Sequence, residues 1–175
     1  MRPEEYLSLK WKDIDFQNCT AIVQRALVWR KGGGYIWDKP KTAKSRRIVP
    51  MPQTLMLKLK EHKRLQTEYR FKLGAAYENH DLVFASQVGK ALHYGNLTKR
   101  HYEEILERAG MKDEGFVLYS LRHKCATLLL SAGANPKVVA ERLGHSSVKM
   151  TLDVYSHVLP GMQQAAMAKL VDMLY

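Results

Sequence analysis

Cysteine is scarce: Cys19 and Cys125 are the only two in 175 residues, and neither has a second Cys or a His at metal-ligand spacing. That excludes a disulfide framework and a paired-cysteine zinc site, and it leads to the expectation of reduced thiols in a cytoplasmic protein. Long apolar runs are missing too, since no stretch approaches the ~20 residues that cross a bilayer and no signal-peptide pattern is present. Acidic residues are in deficit, 17 against 28 Lys plus Arg, which leaves a net charge of +11 and a pI near 9.7. Such a balance favours polyanionic partners, nucleic acid first, and says nothing about fold. No internal repeat or low-complexity segment interrupts the chain, and its 20.1 kDa suits one domain around one core.

Residues 3–9 read as a short helix, with Pro3 in its first turn and Glu4 and Glu5 near its positive end. Residues 19–50 turn β-branched and aromatic in three runs: Thr20 through Trp29, Tyr35-Ile36-Trp37 and Arg47-Ile48-Val49. Gly32-Gly33-Gly34 and a basic turn divide them, which predicts a small three-stranded antiparallel sheet. Over residues 52–73, Leu55, Met56, Leu59 and Tyr69 recur at helical spacing, with Lys58, Lys63, Arg64 and Arg70 on a solvated face. Leu82-Val83-Phe84 reads as a short extended piece, and a helix follows from Asn96 as N-cap to Gly110 as stop. The last third is a succession of short helices. Ser120 is the expected cap of the first, with Leu121, Cys125, Leu128 and Ala132 as its apolar stripe. Asn135 and Pro136 start the second and Gly144 ends it; Ser146 or Ser147 starts a third through Tyr155; Pro160 precedes a final helix. The fold class expected is α+β, mainly helical, with the sheet near the N-terminus.

Arg122, His123 and Lys124 crowd the first turn of a helix, where the macrodipole disfavours cations. A bound phosphate would relieve that conflict; the alternative is chance clustering in a lysine-rich chain. His145 follows the glycine stop, so it projects from a sharp turn, although most isolated histidines are structural. Tyr155 shares a helical stripe with Val148 and Leu152, which by periodicity alone makes it a core residue. Taken together, Arg122, His145 and Tyr155 offer a bidentate guanidinium, a second donor and a hydroxyl nucleophile, a set suited to phosphoryl transfer without a metal.

The wording of these segments is more specific than their composition. SLRH at 120–123, ATLLLSAG at 126–133, ERLGHSS at 141–147 and TLDVYSHV at 151–158 closely resemble the C-terminal signature of the tyrosine recombinases, the phage-integrase family. MRPEEYLSLKWKDID at 1–15 resembles the segment with the family's first catalytic arginine, which places that role on Arg2 and its supporting acid on Glu5. KTAKSRRIVP at 41–50 resembles the hairpin with the catalytic lysine, matching Lys41. The resemblance implies double-stranded DNA as partner, no cofactor and no metal. It implies attack by Tyr155 on the scissile phosphorus, Arg2 and Arg122 on the non-bridging oxygens, a hydrogen bond from His145, and Lys41 as general acid. It also implies that the helix carrying Met162, Ala166, Leu170 and Met173 packs on a neighbouring protomer of a tetramer assembled on DNA.

Tyr119 departs from the pattern, standing where members commonly carry histidine. A phenol is a poorer proton acceptor than imidazole at neutrality, so a positioning role is expected for it. Arg2 lies next to the start of the sequence, whereas in the family a DNA-binding domain precedes it. Residues 1–175 are therefore expected to be a catalytic domain truncated at its N-terminus. Two other functions compete: a non-catalytic DNA-binding module, since residues 135–155 also read as a helix-turn-helix, and an enzyme like type IB topoisomerases.

Overall fold

Pro3 supplies a pre-set φ at the first position of α1 (Pro3–Tyr6), and the main-chain N–H of Arg2 ahead of it donates to the Glu5 carboxylate at 2.7 Å. The computed structural model describes residues 1–30, 32–38, 46–155 and 162–174, and the side chains of all of these except 155, 162–166 and 169. After a 3₁₀ turn at Trp11–Asp13 come five short strands: β1 (Ile14–Asp15), β2 (Thr20–Val23), β3 (Ala26–Trp29), β4 (Tyr35–Asp38) and β5 (Arg47–Pro50).

The expected antiparallel three-stranded sheet is present, with different members. Its order is β1-β2-β5, in the register Ile14↔Ala21 and Thr20↔Pro50, while β3 and β4 form a separate hairpin with Leu27 opposite Trp37. The single strand expected from Thr20 through Trp29 breaks at Gln24 and Arg25. Both side chains turn toward buried Asp13: Gln24 Nε2 donates to it at 2.7 Å, and the Arg25 guanidinium pairs with its carboxylate. The Arg25 carbonyl accepts from Ser8 Oγ at 2.8 Å. A buried carboxylate demands such partners, and meeting the demand bends the chain out of the first sheet.

The long helix α2 (Gln53–Leu73) follows the expected span. Met56 and Leu59 enter a core with Leu9, Trp11, Ile14, Ala21 and Val83, whereas Leu55 and Tyr69 stay exposed. A second cluster joins Leu7, Leu27, Leu82 and Ala91, and Leu82 makes an antiparallel bridge with Lys10. The next helix begins earlier than expected. Its cap is His93, whose Nδ1 accepts from the Gly95 N–H at 3.1 Å, and it runs as α3 (Tyr94–Leu97), a π-helical stretch (Thr98–Tyr102) and α4 (Glu103–Arg108) before Gly110 at φ +69°.

The C-terminal part comprises α5 (Ser120–Ser131), α6 (Pro136–Leu143), α7 (Val148–Tyr155) and α8 (Met162–Leu174). Asn135 caps α6 as expected, accepting from the Lys137 N–H at 2.8 Å. Ser120 does not cap α5: it lies within the helix and its hydroxyl donates back to the Val117 carbonyl at 2.5 Å. The stripe assigned to α5 is also corrected. Arg122, Ala126 and Leu130 are the buried residues, and Leu121, Cys125 and Leu128 face outward. The segment is apolar on several faces, so spacing alone could not single out the face that meets Val139 and Leu143 of α6. Pro160 lies outside the described residues. Helix α6 packs on β5 as well as on α5, and this brings the sheet half and the helical half to one seam.

Candidate active site

Helix α6 ends in a left-handed glycine turn. Gly144 has φ +68°, its N–H bonds the Glu141 carbonyl at 3.0 Å, and the His145 N–H bonds the Ala140 carbonyl at 2.9 Å. The carbonyls of residues 142, 143 and 144 remain, pointing out of the negative end of the helix. Three arginines from three other segments take them in order. Arg47 of β5 donates Nε to Arg142 O at 2.8 Å, Arg122 of α5 donates Nη2 to Leu143 O at 2.6 Å, and Arg2 donates Nη1 and Nη2 to Gly144 O, each at 3.3 Å. Helix-end carbonyls thus collect the cations that carry the site.

One carboxylate braces them. Glu5, 4% exposed, accepts Arg47 Nη1 at 3.1 Å and Nη2 at 2.8 Å, and Arg2 Nη1 at 3.2 Å. Burial pushes its pKa up, but the hydrogen bonds and charges of Arg47 and Arg2 outweigh this and hold it below the ordinary carboxylate value. Arg47 was not among the sequence candidates. Strand alternation places it on the same face as buried Val49, and an arginine on an inward strand position is a signal that a buried acid awaits it. Gly144 is needed here twice over, for its positive φ and because a Cβ would stand 2.6 Å from Arg47 Nη1.

The cluster has a surplus of positive charge, three guanidiniums around one carboxylate. Arg122 is 7% exposed, and its Nη1 is buried without a hydrogen-bond partner among the described atoms. Burial, followed by the charge of Arg2, pushes the Arg122 pKa down. A buried guanidinium with an unsatisfied donor, in a field that disfavours its own charge, is a receptor for an anion. His145 is half-buried and its Nδ1 lies 2.7 Å from Oγ1 of fully buried Thr151. Burial first, then the charges of Arg122, Arg2, Arg47 and His123, push its pKa down to about 4, so the ring is neutral at pH 7. An incoming phosphate would cancel much of that field and let the ring donate or take up a proton.

Arg2, Glu5, Arg122 and His145 therefore meet at one helix end. Tyr119 stands beside them as the residue ahead of α5: its carbonyl accepts the Arg122 N–H at 3.0 Å and its ring lies edge-on to His123 at 5.3 Å. Tyr155 is the last residue of α7 and its side chain lies outside the described residues, as does the whole of Lys41, between β4 and β5. Thr151, like Arg47, was missed by sequence reasoning, because a lone threonine within a short helix carries no signal of its own. Among the described residues no group of three His, Cys, Asp or Glu side chains could hold a metal ion, and no helix is long and apolar enough to cross a membrane.

Known proteins resemble the chain in sequence and in fold. Relatives include a "Tyrosine recombinase XerC-like" protein of Caldanaerobacter subterraneus subsp. tengcongensis, 38% identical over 99% of this chain and 46% of its own length. The ICEBs1 integrase of Bacillus subtilis is 32% identical over 99% of this chain and 46% of its own length. Among solved structures, the Tn1549 transposon integrase in complex with circular intermediate DNA superimposes with a TM-score of 0.74 at 26% identity, covering 97% of this chain and 56% of that one. The XerH recombinase bound to a palindromic difH substrate, a post-cleavage complex, gives 0.60 at 28% identity, covering 96% of this chain and 41% of that one. The chain thus spans about half the length of the curated relatives it matches. With the model of the phage integrase family matching residues 1–162, the chain belongs to that family, the tyrosine recombinases, and corresponds to its catalytic domain.

Proposed function

We propose that this chain is the catalytic domain of a site-specific recombinase or integrase that cleaves and rejoins double-stranded DNA. The observation that carries the reading is the surplus-positive cluster on the end of α6, with its buried Arg122 Nη1 unpartnered among the described residues. Arg2 and Arg122 would hold the non-bridging oxygens of one phosphodiester, with His145 as a further donor and Glu5 fixing Arg2. Tyr155 Oη would lose its proton to solvent and form a bond to phosphorus as the bond to the 5′ oxygen breaks, and Lys41 would give that oxygen a proton. The 3′-phosphotyrosyl link keeps the energy of the broken ester, so rejoining needs no nucleotide cofactor. Tyr119 would position the phosphate or the nucleophile.

The DNA complexes of the relatives support DNA as substrate, and integration or excision of a mobile element suits the integrase and transposon relatives. Assembly would be tetrameric on DNA through α8, whose Met167, Leu170, Val171, Met173 and Leu174 are exposed. Action in the cytoplasm, and a place for residues 1–175 as one catalytic domain within a longer recombinase, complete the reading.

A nicked suicide duplex tests it, because loss of the short fragment traps the covalent intermediate. The wild-type chain should give a protein–DNA adduct mapped to Tyr155, and Tyr155→Phe should give none. DNA binding with no adduct under any condition would point to a non-catalytic module; site-independent relaxation of supercoils would point to topoisomerase-like action.

A further inference from the structure

Thr151 is 0% exposed, and its Oγ1 lies 2.7 Å from His145 Nδ1. Among the described residues the imidazole is the one side chain or backbone group with which this hydroxyl is paired. A buried hydroxyl hydrogen needs an acceptor, and the Nδ1 lone pair is the acceptor within reach. The opposite arrangement, with Nδ1–H donating to Oγ1, would strand that hydrogen in a buried place. We propose that Thr151 is a positioning residue for His145: it donates to Nδ1, which puts the proton of the neutral ring on Nε2 and makes that atom a hydrogen-bond donor to a bound phosphate.

The groups facing the ring are consistent with this. Arg122 and His123 of α5, Arg2 ahead of α1 and Arg47 of β5 all disfavour a charged imidazole, and Glu5 is the carboxylate among them. In the free protein the ring is neutral, and a neutral ring has a single N–H whose place is set by what the other nitrogen accepts. When a phosphate arrives and the ring gains a proton, Nδ1 becomes a donor; the threonine hydroxyl then rotates to accept, and the phosphate contact offsets the cost of leaving its hydrogen without an acceptor. Serine can play both parts, valine neither. Thr151 also lies four residues before Tyr155 on α7, about one turn. The same bond therefore seats the helix of the nucleophile on the turn that carries His145, and this last point rests on the proposed recombinase chemistry.

The test has two arms. In the first, imidazole nitrogens of the free chain are followed by NMR at pH 7, with His145 assigned from the signals lost in His145→Gln. Wild type and Thr151→Ser should show Nε2 protonated and Nδ1 bare, while Thr151→Val, with an otherwise unchanged backbone spectrum, should show a several-fold rise in the Nδ1–H form. A wild-type ring protonated on Nδ1 overturns the proposal even if the valine variant does not fold, and so does a folded valine variant with an unmoved tautomer. In the second arm, adduct formation on the nicked duplex should slow about tenfold or more in Thr151→Val, as is usual when an orienting partner is lost, and recover in Thr151→Ser. Equal rates for valine and wild type overturn the link to chemistry. A wild-type chain that gives no adduct overturns the proposed activity instead, and the first arm still decides the role of Thr151.

Discussion

Removing Arg47 would leave Glu5 in a site where both partners are more than nine-tenths buried, with Arg2 as its remaining cation. Breaking a buried pair from one side costs about 3–5 kcal/mol. Arg47→Ala should lower the unfolding free energy by that order in urea titrations; Arg47→Lys, with charge but no fork to span Glu5 and the Arg142 carbonyl, should recover part of it. His145 supplies a second residue-level prediction. Its pKa is about 4 in the fold against an ordinary value of 6.5, so between those limits the unfolded chain binds the proton and the folded chain does not. Stability should therefore fall as pH falls from 6.5 to 4, and urea midpoints at pH 7 and pH 5 should differ less in His145→Gln than in the wild type. Arg2, Glu5, Arg122 and His145 were legible in the sequence because short motifs surround each of them. Arg47 and Thr151 were not: the inward strand place of Arg47 signals a buried acid but not which one, 42 residues away, and Thr151 acts through a single hydroxyl that leaves no local pattern.

At the scale of elements, the ends of α6 were legible, because Asn135 and Gly144 bound it by local chemistry, whereas the caps expected at Asn96 and Ser120 lie inside their helices. Faces and strand partners were less so, since they depend on what arrives from elsewhere. Helix α5 has Leu128, Leu129 and Leu130 in succession, and only contact with α6 decides that Leu130, 2% exposed, is the core residue while Leu128 is 58% exposed. Leu130→Ala should cost about 2–5 kcal/mol and Leu128→Ala less than about 0.5 kcal/mol, measured side by side by thermal or urea unfolding. Equal losses would mean that α5 is rotated from the face described. The break between β2 and β3 belongs to the same class: the apolar run resumes at Ala26 after Gln24 and Arg25, so it reads as one strand, and the demand of Asp13 ends the strand there.

For the molecule as a whole, the net charge of +11 and the outward apolar residues of α8 make separable predictions. Charge governs binding: a plot of log Kd against log salt should be steep, with each phosphate neutralised adding about 0.9 to its slope on duplex DNA. On the proposed tetramer, the apolar residues of α8 would govern assembly. Deleting residues 162–175 should leave adduct formation on a single half-site in place while removing the higher-order protein–DNA complexes seen by native gel or sedimentation.

The arginines on the end of α6 also set when, as the chain folds, its anion-binding cluster can form. Arg2 and Gly144 are 142 residues apart in sequence, and Arg47 and Arg142 are 95 apart. Contacts of such long range form late and slowly, since the loop between them must close first. A chain still emerging from synthesis, or one cut by a protease between α2 and α5, holds the separate arginines without the helix end that gathers them. The cluster that would grip a phosphate thus forms only once the N-terminal and C-terminal segments dock on each other.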